Sequence, residues 1–365
     1  MSEPGRRLLT FSAGAPHWPD EVLAAAAAEF PGFRETGLAV PELGHRTREW
    51  AALQEEIEDR FRRLAGVPGD REVLLLPGGP TWQFALLPMN LRPPGRSADY
   101  VLTGHWARKA FDAARATGDA RPAASGEVDG FSRVPPPRTW DIDPAAAYLH
   151  VTTNNTVHGT WLREIPADLP VPLVADATSD LLARRLPLDR FAVVYAGAQK
   201  NLGPTGLTVV VVRRDLLERA PDGLPPILRW RDHAAARSRL NTPPTVLVWL
   251  LGKMLEWIEG EGGLDEMDRR TRERARIVYE ALEAHPEVYR LPAAREDRSL
   301  VNVVFRTRDH ETDRDLVAAA RARGLVGLEG HRSVGGLRAS MYAGMPVAGA
   351  RRLAAFLREF AENLR

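Results

Sequence analysis

The chain has 365 residues, 44% of them apolar, and its 49 basic and 48 acidic side chains leave a formal net charge of +1. That length has room for a large core and two domains, and the balanced, dispersed charge leaves no electrostatic footprint for nucleic acid. There is no cysteine, which excludes disulfides, cysteine-ligated zinc, iron–sulfur clusters and cysteine nucleophiles.

No apolar run reaches the roughly eighteen residues of a membrane span. Arg6 and Arg7 near the start have no long hydrophobic stretch behind them, so no secretory signal is indicated and a cytoplasmic location is expected.

In chain order, the first nineteen residues are punctuated by Gly and Pro, and Asp20-Glu21 opens an alanine-rich helix over 20–29. An amphipathic helix follows over 47–64, with Leu53, Ile57 and Phe61 on its apolar stripe. A strand–turn–helix rhythm then begins. The run 73–76 stops at Pro77-Gly78-Gly79, and a helix starts at Thr81. Residues 99–103 read as a strand, with a helix starting near Trp106. Further strands are expected at 147–151, 171–175, 191–196 and 208–212, and 125–144, with three consecutive prolines, reads as a surface connection. Short apolar runs separated by helices predict a mostly covered, mixed or parallel sheet. The locally basic stretch 231–239 lacks a recognition pattern and reads as a solvated or ligand-facing loop. A buried helix is expected at 245–259, a long amphipathic one at 264–284, a strand at 301–305, a helix at 313–323, a strand at 337–342 and a final helix at 347–364. The pattern predicts an α/β protein with a large domain over 16–260. A smaller α+β C-terminal domain over 261–365 is expected to be joined by residues 1–15, which should approach the active site.

Only three lysines occur, Lys109, Lys200 and Lys253; the other strong bases are arginines, which cannot form an imine. Lys109 and Lys253 sit in helical patterns, the second near Glu256 and Glu259, and read as surface or structural groups. Lys200 follows a strand in the turn Gly197-Ala198-Gln199-Lys200-Asn201-Leu202-Gly203-Pro204, where α/β sheets present side chains to ligands. Asp176 ends the preceding predicted strand. It suits the ring nitrogen of a pyridoxal 5'-phosphate (PLP) cofactor, or else caps a turn with Thr178 and Ser179. Gly78-Gly79 lies between a strand and a helix, where backbone amides can approach a phosphate. Gln199 offers a polar contact. Trp106 is either a ring-stacking residue or a core aromatic. No GxxxxGK[ST] or GxGxxG opens a nucleotide-binding unit.

Taken together these residues resemble the phosphoserine aminotransferase family, PLP enzymes of fold type I in the class-V group. The resemblance runs through 195–206 around Lys200, Gly44-His45-Arg46, Asn241-Thr242-Pro243-Pro244-Thr245, and 330–340 with His331, Arg332 and Arg338. It implies that Lys200 is the Schiff-base lysine and that Asp176 pairs with the pyridine nitrogen. It also implies that Trp106 stacks on the ring, Thr156 lies beside the phenolic oxygen, and Gly78, Gly79, Thr81 and Gln199 belong to the phosphate end. Asn241 and Thr242 would reach the phosphate from a second subunit, implying a homodimer with shared sites. His45, Arg46, His331 and Arg332 resemble a substrate-anion cluster, with Arg338 a neighbouring cation; each His-Arg pair taken alone reads as a surface ion network, and only their joint presence with the PLP residues reverses that. The substrates implied are an amino acid and a 2-oxo acid, with phosphoserine and 2-oxoglutarate as the family pattern, and no metal is expected.

The sequence departs from that pattern where substrate is recognised. Pro80-Thr81-Trp82 replaces Gly-Arg-Gly, removing a cation and adding a bulky ring; Gly44 replaces a serine; Thr153-Asn154-Asn155-Thr156 lacks an acidic group; and Tyr342-Ala343-Gly344 replaces Tyr-Asn-Ala. An aminotransferase of specialised metabolism acting on a less anionic acid therefore remains the alternative. A PLP lyase or decarboxylase, or a non-enzymatic binding protein of the same fold, would share Lys200.

Overall fold

The computed structural model describes residues 7–364. Its centre is a seven-stranded sheet, labelled in chain order β1 (Arg71–Pro77), β2 (Ala98–Leu102), β3 (Ala120–Ser125), β4 (Leu149–Thr152), β5 (Leu173–Asp176), β6 (Val193–Gly197) and β7 (Leu207–Arg213). The spatial order is β1-β7-β6-β5-β4-β2-β3. β7 is antiparallel to both neighbours and every other pairing is parallel. β1, β2, β4, β5 and β6 therefore end at one edge of the sheet, and their following turns converge there. The strands read as apolar runs because both faces are covered. One face meets the helices Asp20–Glu29, Arg48–Ala65 and Thr245–Gly260; the other meets Thr81–Leu91 and His105–Ala116.

Local chemistry sets the helix limits. Thr47 caps Arg48–Ala65 by accepting from the Trp50 amide, and Gly66 closes it in the left-handed conformation at φ +66°. Thr245–Gly260 buries Val248, Trp249, Leu251, Met254, Leu255 and Ile258, each worth about 1.5–3 kcal/mol when fully buried. The predicted helix at 313–323 starts earlier, at His310, because Asp309 accepts from the Thr312 amide and caps it. Six of the seven sheet strands lie where sequence placed them, within two residues at each end. β3 was missed. Its sequence, Ala-Arg-Pro-Ala-Ala-Ser, is an edge strand with few large apolar side chains, and its register with β2 shifts beside Pro122. The stretch read as a surface connection, 125–144, shares only Ser125 with β3.

A separate core joins the two ends of the chain. Leu9 and Phe11 pack with Val278, Leu282, Phe305, Leu316, Leu353 and Leu357. Leu9–Thr10 pairs in parallel with Leu325–Val326, and Asn302–Phe305 pairs antiparallel with Leu337–Ser340. The helices Gly263–Glu283, His310–Ala322 and Val347–Asn363 pack around them. This is an α+β body beside the α/β sheet. Of the N-terminal segment expected near the site, residues 1–6 lie outside the described residues. No described helix is long and apolar enough to cross a membrane.

Candidate active site

A cavity of about 390 Å³ opens at the carboxyl edge of the sheet. Gly79, Pro80 and Thr81 line it after β1, Trp106 after β2, Thr152 at the end of β4 and Asn154 and Thr156 after it. Asp176, Thr178 and Ser179 come from the end of β5 and Gln199 and Lys200 from the turn after β6, while His331 and Arg338 reach in from the α+β body. Ala13 and Gly14 of the N-terminal segment complete the wall.

Asp176 is the last residue of β5 and only 6% exposed. One carboxylate oxygen accepts from the Thr178 amide at 3.0 Å, and the Thr178 hydroxyl accepts from the Gly197 amide at 3.2 Å. The turn-capping role weighed for Asp176 is thus real, and it leaves the carboxylate facing the cavity. Burial raises its pKa, opposed by the Thr178 contacts and by Lys200. Lys200 is pushed the opposite way. Burial lowers its pKa to about 8, and the field of Arg338 adds to that, against Asp176 and Asp180. A lysine amine so placed has a much larger neutral fraction near physiological pH than an ordinary lysine, and the neutral form is what a nucleophile or a base needs.

The turn that carries Lys200 is pinned from both sides. Asn201 donates to the Ser179 carbonyl at 2.9 Å and accepts from the Ala343 amide at 3.0 Å, tying the turn to the β5 loop and to the α+β body. Fully buried Arg274 holds that body's loop through the Tyr342 and Ala343 carbonyls. Sequence reading singled out neither residue.

Trp106 donates its indole N–H to the Thr156 hydroxyl at 3.1 Å, which fixes the ring's orientation. Arg338 donates to the Thr156 carbonyl at 3.1 Å, and its Nε is buried without a partner. Burial lowers its pKa, and no carboxylate is paired with it among the described residues. An uncompensated guanidinium in a cavity is a site for an anion. The Ser333 amide donates to Nδ1 of His331 at 3.3 Å, which leaves the proton of the neutral ring on Nε2 as a donor. Gln199 has a buried side-chain oxygen position with no partner. A Cβ at Gly197 would come within 2.5 Å of Pro80, so glycine there lets the Gln199 turn and the Gly79–Thr81 turn approach each other.

The remaining predicted residues stand elsewhere. Gly78 does not line the cavity: at φ +95° it makes the turn, and its amide donates to the Gly206 carbonyl at 2.9 Å instead of facing a ligand. His45, Arg46, Asn241, Thr242 and Arg332 are not part of the wall; Arg46, Asn241, Thr242 and Arg332 are exposed, and His45 Nε2 is buried without a partner. Trp82 is 60% exposed beside the cavity's Thr81. Lys253 pairs with Glu29 and Glu256, not Glu259, which is engaged by Arg60 and Arg63. Lys109 lies over the Trp106 ring, 5.5 Å from its centroid, instead of simply reaching solvent. Phe84, Thr152 and Asn154 were not foreseen in the wall, whereas Ala13 and Gly14 belong to the segment 1–15 that was expected to approach the site. Thr152 had a signal, since it ends a strand at the same edge as Asp176.

The model of the family described as aminotransferase class-V matches residues 8–353. The chain is 43% identical over 355 residues to a phosphoserine aminotransferase of Geobacillus kaustophilus, covering 97% of this chain and 98% of that one. The chain belongs to the phosphoserine aminotransferase family, in the class-V group. Among solved structures, the phosphoserine aminotransferase of Bacillus circulans subsp. alkalophilus superposes with a TM-score of 0.96 at 39% identity, over 98% of this chain and 99% of that chain. A PLP-bound phosphoserine aminotransferase of Trichomonas vaginalis gives 0.92 at 33% identity, over 96% and 100%. The protein is thus a PLP-dependent aminotransferase of fold type I, and the sheet order and the α+β body are that fold.

Proposed function

We propose that this aminotransferase exchanges an amino group between an amino acid carrying a second anionic group, with phosphoserine as the type, and a 2-oxo acid such as 2-oxoglutarate. The observation that carries the reading is the convergence of half-buried Lys200, buried Asp176 and Arg338 without a counter-charge in one cavity.

The residues present fit PLP. Asp176 would pair with the ring nitrogen, Trp106 with the ring face and Thr156 with the phenolic oxygen. Gly79, Thr81 and the partnerless Gln199 amide, turned so that its N–H₂ points inward, would hold the phosphate. Bound there, PLP supplies an aldehyde that takes the amino group and a ring that accepts electron density. The chain does the rest. Lys200 Nζ, neutral once deprotonated, removes the proton from the substrate's α-carbon and returns it one atom away. Arg338 grips the α-carboxylate with its planar fork. His331, through Nε2–H, and Arg332 take the distal anion. Exposed Asn241, Thr242 and Arg46, with His45, would meet the equivalent cavity of a second copy, making a homodimer with two shared sites. In this reading residues 16–260 form the cofactor domain, and 1–15 with 261–365 the small domain that carries Arg338.

A second reading rests on Thr81. The wall there is neutral and Trp82 stands exposed beside it, which suits a donor with one anionic group fewer. A donor screen with phosphoserine, glutamate, alanine and a neutral apolar amino acid separates the two. The proposal expects phosphoserine to give the highest kcat/KM, and Thr81→Arg to raise it further. A preference for the neutral donors, shifted toward anionic ones by Thr81→Arg, would establish the second reading instead.

A further inference from the structure

His105 is absent from every assignment above, yet its ring packs on the anion-site histidine. The His105 and His331 centroids are 4.8 Å apart, inclined by 51°, and His105 also meets Trp106 edge-on at 5.1 Å. Both residues stand at the start of the helix His105–Ala116, which carries Lys109 one turn on. From the loop after β4, His158 packs against Gly104, where a Cβ would sit 3.0 Å from its ring. The charged groups that act on these rings are all cationic. His105 faces Lys109 and Arg332; His331 faces His105, Arg338, Arg332 and Lys109; His158 faces His105 and His331. Burial first, and these cations second, hold all three imidazoles below their ordinary range, His158 at about 4. No acidic group is among the leading influences on these rings. Such a grouping is unfavourable alone and is relieved by an arriving anion.

We propose that His105 is a specificity-determining residue of this enzyme: it backs His331 and, with Lys109, draws the distal anionic group of the substrate to the mouth of the cavity. The proposal rests on the two-anion reading of the site. It places the cation missing at Thr81 on another element, the first turn of the helix after β2. An anion seated beside the pair offsets the cationic field and, as an opposite charge at close range, favours the protonated rings despite their burial, so their pKa values rise and binding takes up protons. Affinity for a doubly anionic ligand is then greatest at low pH and is lost as pH rises through the raised values, by up to about tenfold per unit for each proton taken up. Alanine, with no distal anion, lacks this dependence.

The test compares holoenzyme and its His105→Ala and His105→Gln variants. Selectivity is read as kcat/KM for phosphoserine over alanine between pH 6 and 8. Proton uptake is read by calorimetric titration with inorganic phosphate in buffers of different ionisation enthalpy. In the variants the selectivity falls by roughly fivefold or more, through KM, as expected for one charged contact. Their selectivity also depends less on pH, and they take up fewer protons. His105→Gln fills the space beside His331 and restores packing without restoring the pH dependence. Unchanged selectivity and unchanged proton uptake in both variants would overturn the role of His105 and leave the two-anion reading standing. A wild-type enzyme that prefers alanine at every pH would overturn that reading, and this proposal with it.

Discussion

Lys200 and Asp176 occupy one cavity but are pushed in opposite directions, the amine toward neutrality and the carboxyl toward protonation, both chiefly by burial. A basic cofactor nitrogen placed against Asp176 would reverse the second shift, because an opposite charge favours the ionised carboxylate. The first shift has a direct consequence. The ordinary lysine value is 10.5 and that of Lys200 about 8, so the neutral form becomes the major one above pH 8. Uptake of PLP by cofactor-free protein, followed by absorbance of the lysine imine, should speed up with rising pH and level off above about pH 8. A rate still climbing steeply at pH 10 would show an unperturbed amine. Lys200 was legible in the sequence because three lysines left few choices, and because its turn follows a strand. Arg338 was not legible as the unpaired cation, since what distinguishes it from the many other arginines is burial without a counter-charge, a property of the fold. Gly78 was over-read for the same reason: a Gly-Gly pair is visible in a sequence, but which amide is already taken by Gly206 is not.

At the level of elements, apolar runs predicted the sheet well because strands covered on both faces carry little else. β3 escaped because an edge strand needs no such run. The site is built from the ends of β1, β2, β4, β5 and β6, so a sequence that shows the strands also shows where to look. It does not show which loops fold back onto that edge. Asn201 and Arg274, which fasten the Lys200 turn to the α+β body, act through carbonyls and amides that no motif announces. The loop with Asn241 and Thr242 is exposed away from its own chain's cavity, and the proposed dimer gives it a task. The protein should sediment at twice its 40.3 kDa chain mass. Thr242→Ala should keep that mass while weakening cofactor retention by about tenfold, the worth of one charge-assisted hydrogen bond. A monomer that retains PLP tightly would contradict the shared site.

Across the whole molecule, the two ends of the chain meet in one core: Leu9 and Phe11 pack with Leu353 and Leu357. That brings Ala13 and Gly14, together with His331 and Arg338, over the sheet edge that holds Lys200 and Asp176. In the proposed reading the cofactor side of the cavity is built on the sheet and its substrate side largely on the α+β body. The departures from the family's pattern do not follow that division: Lys200, Asp176 and Gln199 on the sheet and His331 and Arg338 on the α+β body keep it, while Thr81 and Trp82, which depart from it, follow β1 on the sheet side. The account stands on Lys200 as the group that moves the proton. The measurement that tests it most directly is a single half-reaction of Lys200→Ala. The variant is saturated with PLP and mixed with amino donor, and conversion of the cofactor from its aldehyde to its amine form is followed by rapid-mixing absorbance. The account predicts that the variant still binds PLP and that its conversion rate falls by about 10²–10⁴-fold, the usual contribution of a positioned acid–base group. Conversion at a rate close to that of the unaltered enzyme would contradict it.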